Sequence, residues 1–275
     1  MTFSLEEVSM QADPFAQFKA AQREGWALFV PLEAYTTPAA ARLVEFAPVQ
    51  RGRKVLDVAC GTGVVAVTAA RAGAQVKALD LSPVLLERAH WNADMAGVKI
   101  EFTEGDAEAL PYPDAAFDVV LSQYGHMFAP RPEVVVAEML RVLKPGGQIA
   151  FSTWPPELFI GRMFNLVGQY LPPPPGVVPV SLWGDPNVIR ERLGDRVADL
   201  SFERDAMYIP ALSPQHMRNS FENTAAPVVK LVQTLKDDPA RLSQFRSELE
   251  SLVSVFTKHN LLRQQYLMTR ATKRS

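Results

Sequence analysis

The chain has 275 residues, of which 48% are hydrophobic and 21% are charged, and its formal net charge is −2. This length and composition predict a single catalytic domain with an α/β core and one modest elaboration or cap. The 28 basic and 30 acidic residues form no long run of one sign, which argues against nucleic acid as a partner. The lone cysteine, Cys60, excludes an intrachain disulfide and a multi-cysteine metal site. No metal site is predicted.

No stretch of the sequence reaches the roughly 20 apolar residues that cross a bilayer, so no membrane span is predicted. Residues 1–22 lack the basic and apolar pattern of a secretory signal. A cytoplasmic location is therefore the expectation.

The N-terminal segment has helical periodicity. Phe15, Phe18 and Ala21 recur at helical spacing, and breaks are expected at Pro31 and Pro38. Residues 1–47 are therefore predicted to form a helical lead-in or lid.

From residue 48 to residue 155, short apolar runs alternate with amphipathic segments of about a dozen residues. The predicted strands are Lys54–Cys60, Gln75–Leu81, Lys99–Thr103, Phe117–Ser122 and Gln148–Thr153, and the predicted helices are Val64–Ala72, Pro83–Ala96 and Glu133–Leu143. This alternation implies right-handed crossovers and a largely parallel sheet.

The regular alternation ends near residue 155. Strands are predicted at Ser201–Ile209 and Leu261–Ala271, and two or three helices are predicted within Pro214–Val255. Residues 156–275 are therefore expected to complete the sheet and to add a helical cap.

The first predicted strand runs through a glycine turn directly into a helix. Gly61 and Gly63 let backbone N–H groups approach a ligand at the positive end of that helix. The spacing also fits the dinucleotide fingerprint G-x-G-x-x-A, so the turn alone does not separate a nicotinamide cofactor from S-adenosylmethionine. Asp80 ends the second strand, where its carboxylate can accept hydrogen bonds from ribose hydroxyls of either cofactor.

Two further acidic residues favour S-adenosylmethionine. Asp57 lies inside the apolar first strand, and a buried carboxylate is costly unless it is paired. The ammonium of an amino-acid ligand would supply that partner. Asp106 follows the third strand in Gly105-Asp106-Ala107, where it can accept a hydrogen bond from an adenine amino group.

Five ordered segments carry a family resemblance: Val55–Gly63, Ala78–Ser82, Gly105–Pro111, Phe117–Ser122 and Arg141–Gly147. Over residues 53–154 the chain resembles the class I, type 11 methyltransferases, which include ubiquinone and menaquinone C-methyltransferases. The resemblance implies an α/β, Rossmann-like fold with a seven-stranded, mostly parallel sheet, an antiparallel last strand and helices on both faces. It also implies S-adenosylmethionine as cofactor and S-adenosylhomocysteine as product.

By the same resemblance, residues within or just after four strands contact the cofactor. These contacts are Asp57, Ala59, Gly61, Thr62 and Gly63 around the methionine part, Asp80 and Leu81 at the ribose, Asp106 and Ala107 at the adenine, and Ser122 and Gln123 beneath the sulfonium.

Methyl transfer from a sulfonium is an in-line displacement with a neutral leaving group, so the enzyme mainly aligns the reactants and excludes water. A general base is useful only where the nucleophile must lose a proton. His126, just beyond the fourth strand, is the candidate base, and Tyr124 beside it is predicted to orient the acceptor. Tyr35 is predicted to close over the cofactor. Backbone hydrogen bonding by His126 and ordinary packing of both tyrosines are the alternatives.

The apolar side chains of residues 155–255 favour an aromatic or lipophilic small molecule as methyl acceptor. The same side chains would also serve as the core of the cap or as a homodimer contact. Two other functions stay open: a nicotinamide-dependent oxidoreductase and a protein that binds S-adenosylmethionine without turnover. The acceptor atom is not predicted.

Overall fold

A single open sheet organises the molecule, and the computed structural model describes residues 13–275. Its strands are β1 (Lys54–Val58), β2 (Gln75–Asp80), β3 (Glu101–Glu104), β4 (Phe117–Gln123), β5 (Leu143–Thr153), β6 (Val197–Pro210), β7 (Thr257–Lys258) and β8 (Leu261–Lys273).

The strand order is β3-β2-β1-β4-β5-β8-β6, and the two-residue β7 pairs with β8 outside this path. Strands β1 to β5 pair in parallel, whereas β8 is antiparallel to both β5 and β6. The predicted seven-stranded path with an antiparallel last strand is therefore confirmed, and β7 adds a short eighth strand.

Ten α-helices of the described residues pack around the sheet. They are α1 (Ala16–Gly25), α2 (Glu33–Phe46), α3 (Val64–Arg71), α4 (Pro83–Met95), α5 (Pro132–Val142), α6 (Phe159–Tyr170), α7 (Pro186–Leu193), α8 (Pro214–Thr224), α9 (Ala226–Thr234) and α10 (Pro239–Phe256). Helices α8, α9 and α10 lie between β6 and β8 in the chain and pack on one another and on α6. Within residues 13–275, no helix has the length and apolar character required to cross a membrane.

The break expected at Pro38 is wrong, because α2 continues through this residue. Pro38 lies in the second turn of α2, where the ring removes one backbone N–H from the helical hydrogen-bond ladder. The hydroxyls of Thr36 and Thr37 both donate to the carbonyl of Glu33, at 3.1 and 2.8 Å. These bonds hold the first turn together. Pro31 instead lies in a 3-10 turn, Trp26–Leu32, which joins α1 to α2.

The central strands form the core. Val55 and Leu56 of β1, and Val120 and Leu121 of β4, are completely buried. Strands with apolar residues on both faces are typical of a parallel sheet that is covered by helices on both sides. This rigid centre fixes the positions at which β1, β2 and β4 end, and those ends build the site described next.

Candidate active site

Two adjoining cavities lie at the carboxyl ends of the strands, where open α/β sheets bind their ligands. The first cavity has an open volume of about 980 Å³, and its wall includes the residues that directly follow β1, β2, β3 and β4. The second cavity has an open volume of about 730 Å³. It lies between the N-terminal helices, β6, β8 and helices α6, α8 and α9, which belong to the cap. Five residues line both cavities: Trp26, Phe29, Thr36, Tyr124 and Phe128.

The turn from β1 to α3 forms one end of the first cavity. Ala59, Gly61 and Gly63 all have positive φ, at 53°, 55° and 78°, so the backbone bends sharply here. A Cβ on Gly63 would lie 3.0 Å from the Cβ of Ala89 in α4. Glycine at position 63 therefore allows α3 to pack closely against α4. Gly63 itself does not line the cavity.

Asp57 reaches this turn from inside the sheet. It is completely buried, and burial raises the pKa of its carboxyl well above the usual range. Its Oδ2 accepts a hydrogen bond from the backbone N–H of Ala66 at 2.9 Å, while its Oδ1 has no partner among the described residues. Because Asp57 also lines the first cavity, a ligand ammonium there would provide both the missing donor and the counter-charge.

Asp80, at the end of β2, ties two loops together. Its Oδ2 accepts from the backbone N–H of Gly61 at 2.7 Å, and its Oδ1 accepts from that of Ser82 at 2.9 Å. Burial raises its pKa, and these N–H groups oppose the shift. Each carboxylate oxygen has a second lone pair, so Asp80 can also accept from neighbouring ligand hydroxyls. Leu81 lines the cavity beside it.

A partly buried ionic cluster closes the opposite end of the first cavity. Lys19 of α1 donates to Asp13, Asp106 and Glu108, with each Nζ to oxygen distance at 2.6 Å. Glu108 also accepts from Arg131. Asp106 and Ala107 follow β3 and line the cavity together with Lys19. The cluster therefore joins the N-terminal helix to the loop that is predicted to contact adenine.

The end of β4 lies where the two cavities adjoin, and Tyr124 lines both of them. Gln123 donates through Nε2 to the carbonyl of Thr36 at 3.0 Å, and its buried Oε1 has no partner among residues 13–275. Tyr124 has a φ of 63° and stacks on Trp154, with ring centroids 4.0 Å apart. A Cβ on Gly125 would lie 2.5 Å from the carbonyl oxygen of Ala59, so glycine is needed where the two loops meet.

The predicted site residues separate into two groups in the structure. Those that line the first cavity are Asp57, Ala59, Gly61, Thr62, Asp80, Leu81, Asp106, Ala107, Gln123 and Tyr124. The remaining four, Gly63, Ser122, Tyr35 and His126, lie outside its wall. Ser122 donates its hydroxyl to the carbonyl of Val58 at 2.7 Å, and Tyr35 lines the second cavity instead.

His126 does not fit the role of general base. Its side chain is completely buried and packs edge-on against Phe151 and Trp183, with ring centroids 4.8 and 4.7 Å away. Burial, with a smaller effect of Arg192, lowers the pKa of His126 to about 3. Neither ring nitrogen has a partner among the described residues, and the ring lines neither cavity. The turn after β4 directs this side chain into the core.

Sequence reasoning missed a group of cavity residues on the N-terminal helices. They are Lys19, Gln22, Trp26 and Phe29. Their spacing of three, four and three residues places them on one face of a helix, which is the signal that could have identified them. The face combines a cation, an amide and two aromatic rings, so it differs from an ordinary apolar core stripe.

Comparisons with known proteins identify relatives of this chain. A profile described as a methyltransferase domain matches residues 56–151. An uncharacterized protein of Mycobacterium tuberculosis is 34% identical over 256 residues, which cover 91% of this chain and 93% of the relative. A demethylmenaquinone methyltransferase of Deinococcus radiodurans is 39% identical over 125 residues, which cover 44% of this chain and 52% of that enzyme. The solved structure of the YcgJ protein of Bacillus subtilis has a TM-score of 0.58 at 18% identity and covers 86% of this chain and 98% of that one.

None of these similarities favours a nicotinamide-dependent oxidoreductase, and one of the relatives is a demethylmenaquinone methyltransferase. The full-length similarity to the mycobacterial protein extends the relationship beyond the central domain into the cap. Through the domain at residues 56–151, the chain therefore belongs to the type 11 methyltransferases.

Proposed function

We propose that the chain binds S-adenosylmethionine in the first cavity and transfers its methyl group to an aromatic or lipophilic small molecule in the second. The observation that carries this proposal is the contact between a cavity rich in hydrogen-bonding groups and an apolar one. The two share Trp26, Phe29, Thr36, Tyr124 and Phe128. Reactants bound in the two cavities would approach each other beside these shared residues, as an in-line displacement requires.

Two buried hydrogen-bond acceptors of the first cavity lack donors that the cofactor would supply. Asp57 Oδ1 and Gln123 Oε1 have no hydrogen-bond donor among the described residues, although unpaired buried acceptors cost about 1–3 kcal/mol each. Asp57 would hold the ammonium of the methionine part and Asp80 the ribose hydroxyls, while Asp106 and Ala107 would contact the adenine. When bound, the cofactor supplies a methyl group on positively charged sulfur.

The chain's own contribution is alignment and exclusion of water. The aromatic side chains of Trp26 and Phe29 come from the lead-in, and those of Tyr124 and Phe128 from the β4 loop. Burial raises the pKa of Tyr124 well above its usual value, so its phenol stays protonated and orients the acceptor without acting as a base. The predicted role of Tyr35 accordingly moves from the cofactor to the acceptor.

Isothermal titration of the full chain with S-adenosylmethionine and S-adenosylhomocysteine, and separately with the nicotinamide cofactors, tests the first half of the proposal. We expect micromolar binding of the sulfonium compound and its product alone. The absence of such binding, or a preference for a nicotinamide cofactor, would overturn it. Release of S-adenosylhomocysteine with a panel of phenols, quinols and aromatic amines then tests turnover. Cofactor binding without release would favour a binding protein.

A further inference from the structure

Among the described residues, Gln264 carries the one side-chain amide in the wall of the second cavity, and that wall is otherwise mostly apolar. Alternate residues of β8 place Leu262, Gln264, Tyr266 and Met268 on one face, and all four are at most 4% exposed. Gln264 pairs with Met207 of β6, and both side chains line the second cavity. A polar residue at an otherwise apolar buried position points to a function, because it lowers stability unless it is paired.

The polar groups of this wall differ in their partners. The hydroxyls of Thr36 and Thr224 donate to carbonyls within their own helices, at 3.1 and 2.8 Å. The Gln264 amide makes no side-chain hydrogen bond within residues 13–275, although its residue is only 4% exposed. Its donor and acceptor are therefore available to a molecule in the cavity, and an amide matches either a hydroxyl or a carbonyl group.

The charge of the wall limits the occupant further. Among the described residues, this wall contains no Asp, Glu, Lys, Arg or His. A charged ligand would lose its hydration without gaining a counter-charge from the wall. The aromatic rings of Trp26, Phe128 and Trp154 are part of this wall, and aromatic side chains pack favourably against another ring system.

We propose that Gln264 is a specificity-determining residue that hydrogen-bonds a hydroxyl or carbonyl group of an uncharged aromatic methyl acceptor. This inference rests on the proposed function, because it takes the second cavity as the acceptor site. Gln264 then binds and orients the methyl acceptor, whereas the sulfur that carries the methyl group is held in the first cavity.

The test compares probes that share one ring system and differ in the polar group. Binding of β-naphthol, methyl β-naphthyl ketone and naphthalene is measured by saturation-transfer NMR and calorimetry, with the chain saturated with S-adenosylhomocysteine. We expect the unmodified chain to bind the hydroxyl and ketone probes about tenfold more tightly than naphthalene, as one hydrogen bond to a buried amide provides.

Gln264→Met removes the amide and keeps the length of the side chain, so we expect it to bind all three probes equally. Gln265→Met is the matched control, because the neighbouring residue points to the opposite face of β8 and lies outside the cavity wall. This control should retain the preference. Gln264→Ala serves as a second variant should Gln264→Met unfold, as judged by circular dichroism.

Equal affinity of the unmodified chain for the three probes, failure to bind β-naphthol and the ketone, or a preference that survives in Gln264→Met would overturn the inference. Affinity for S-adenosylhomocysteine is measured in every variant. Normal cofactor affinity with no probe preference rejects only the role of Gln264, whereas loss of cofactor binding in the unmodified chain rejects the proposed function.

Discussion

Replacing Asp80 by asparagine should weaken cofactor binding strongly without a change in side-chain shape. The carboxylate accepts from two backbone N–H groups, those of Gly61 and Ser82, at 2.7 and 2.9 Å. An asparagine has only one acceptor oxygen, so its amino group must face one of these donors or a ribose hydroxyl. It also removes the negative charge that strengthens each hydrogen bond.

The magnitude follows from the loss of charge-assisted contacts. Hydrogen bonds to a charged group contribute about 1.5–3 kcal/mol, and each 1.4 kcal/mol is about a tenfold change in affinity. We therefore expect Asp80→Asn to raise the Kd for S-adenosylhomocysteine by about 10- to 100-fold. Isothermal titration measures the change directly.

Asp118→Asn is the control for general damage to the sheet. Asp118 also accepts from a backbone N–H, that of Lys54 at 2.8 Å, and pairs with Lys144 at 2.7 Å, but it lies outside the cavity wall. Affinity in Asp118→Asn should equal that of the unmodified chain. The reasoning is refuted by an Asp80→Asn chain that binds within about twofold of the original, or by equal losses in both variants.

Two further predictions concern buried titratable groups. The pKa of His126 is lowered to about 3 in the folded chain, against about 6.5 when unfolded, so the unfolded state binds the extra proton and stability falls as the pH drops below 6.5. By urea unfolding, the unmodified chain should lose about 2 kcal/mol of stability by pH 5 for this reason, and His126→Leu should lose none of it. Turnover of the variant at pH 7 should be unchanged. Identical pH dependence of the two proteins would contradict the buried, neutral ring. Lys19→Met should lower the free energy of unfolding by about 3 kcal/mol, because it leaves buried Glu108 with one cation fewer. Lys77→Met loses an exposed pair with Glu101 and a cation–π contact with Tyr112 at 5.9 Å, so the change should stay near or below about 1 kcal/mol. Similar losses in the two lysine variants would argue against the stabilising role of the Lys19 cluster.

The parallel core could be predicted because its signals are local. The strand alternation, the glycine turn at Gly61 and the acidic residues at Asp57 and Asp80 all lie within a few residues of the elements that they define. Parallel strands with right-handed crossovers then place the ends of β1, β2 and β4 at one edge. The first cavity therefore follows largely from the order of these motifs.

The second cavity depended on the tertiary structure. Lys19 meets Asp106 across 87 positions of sequence. Gln264 lines a cavity whose other walls include the lead-in, the loop after β4, β6 and the cap. His126, four residues from Ser122 at the end of β4, points into the core instead of the site. Periodicity tells which face of an element is buried, but not which distant element covers that face. For this protein, the local sequence therefore determined the motifs at the first cavity, and long-range packing decided what surrounds the second.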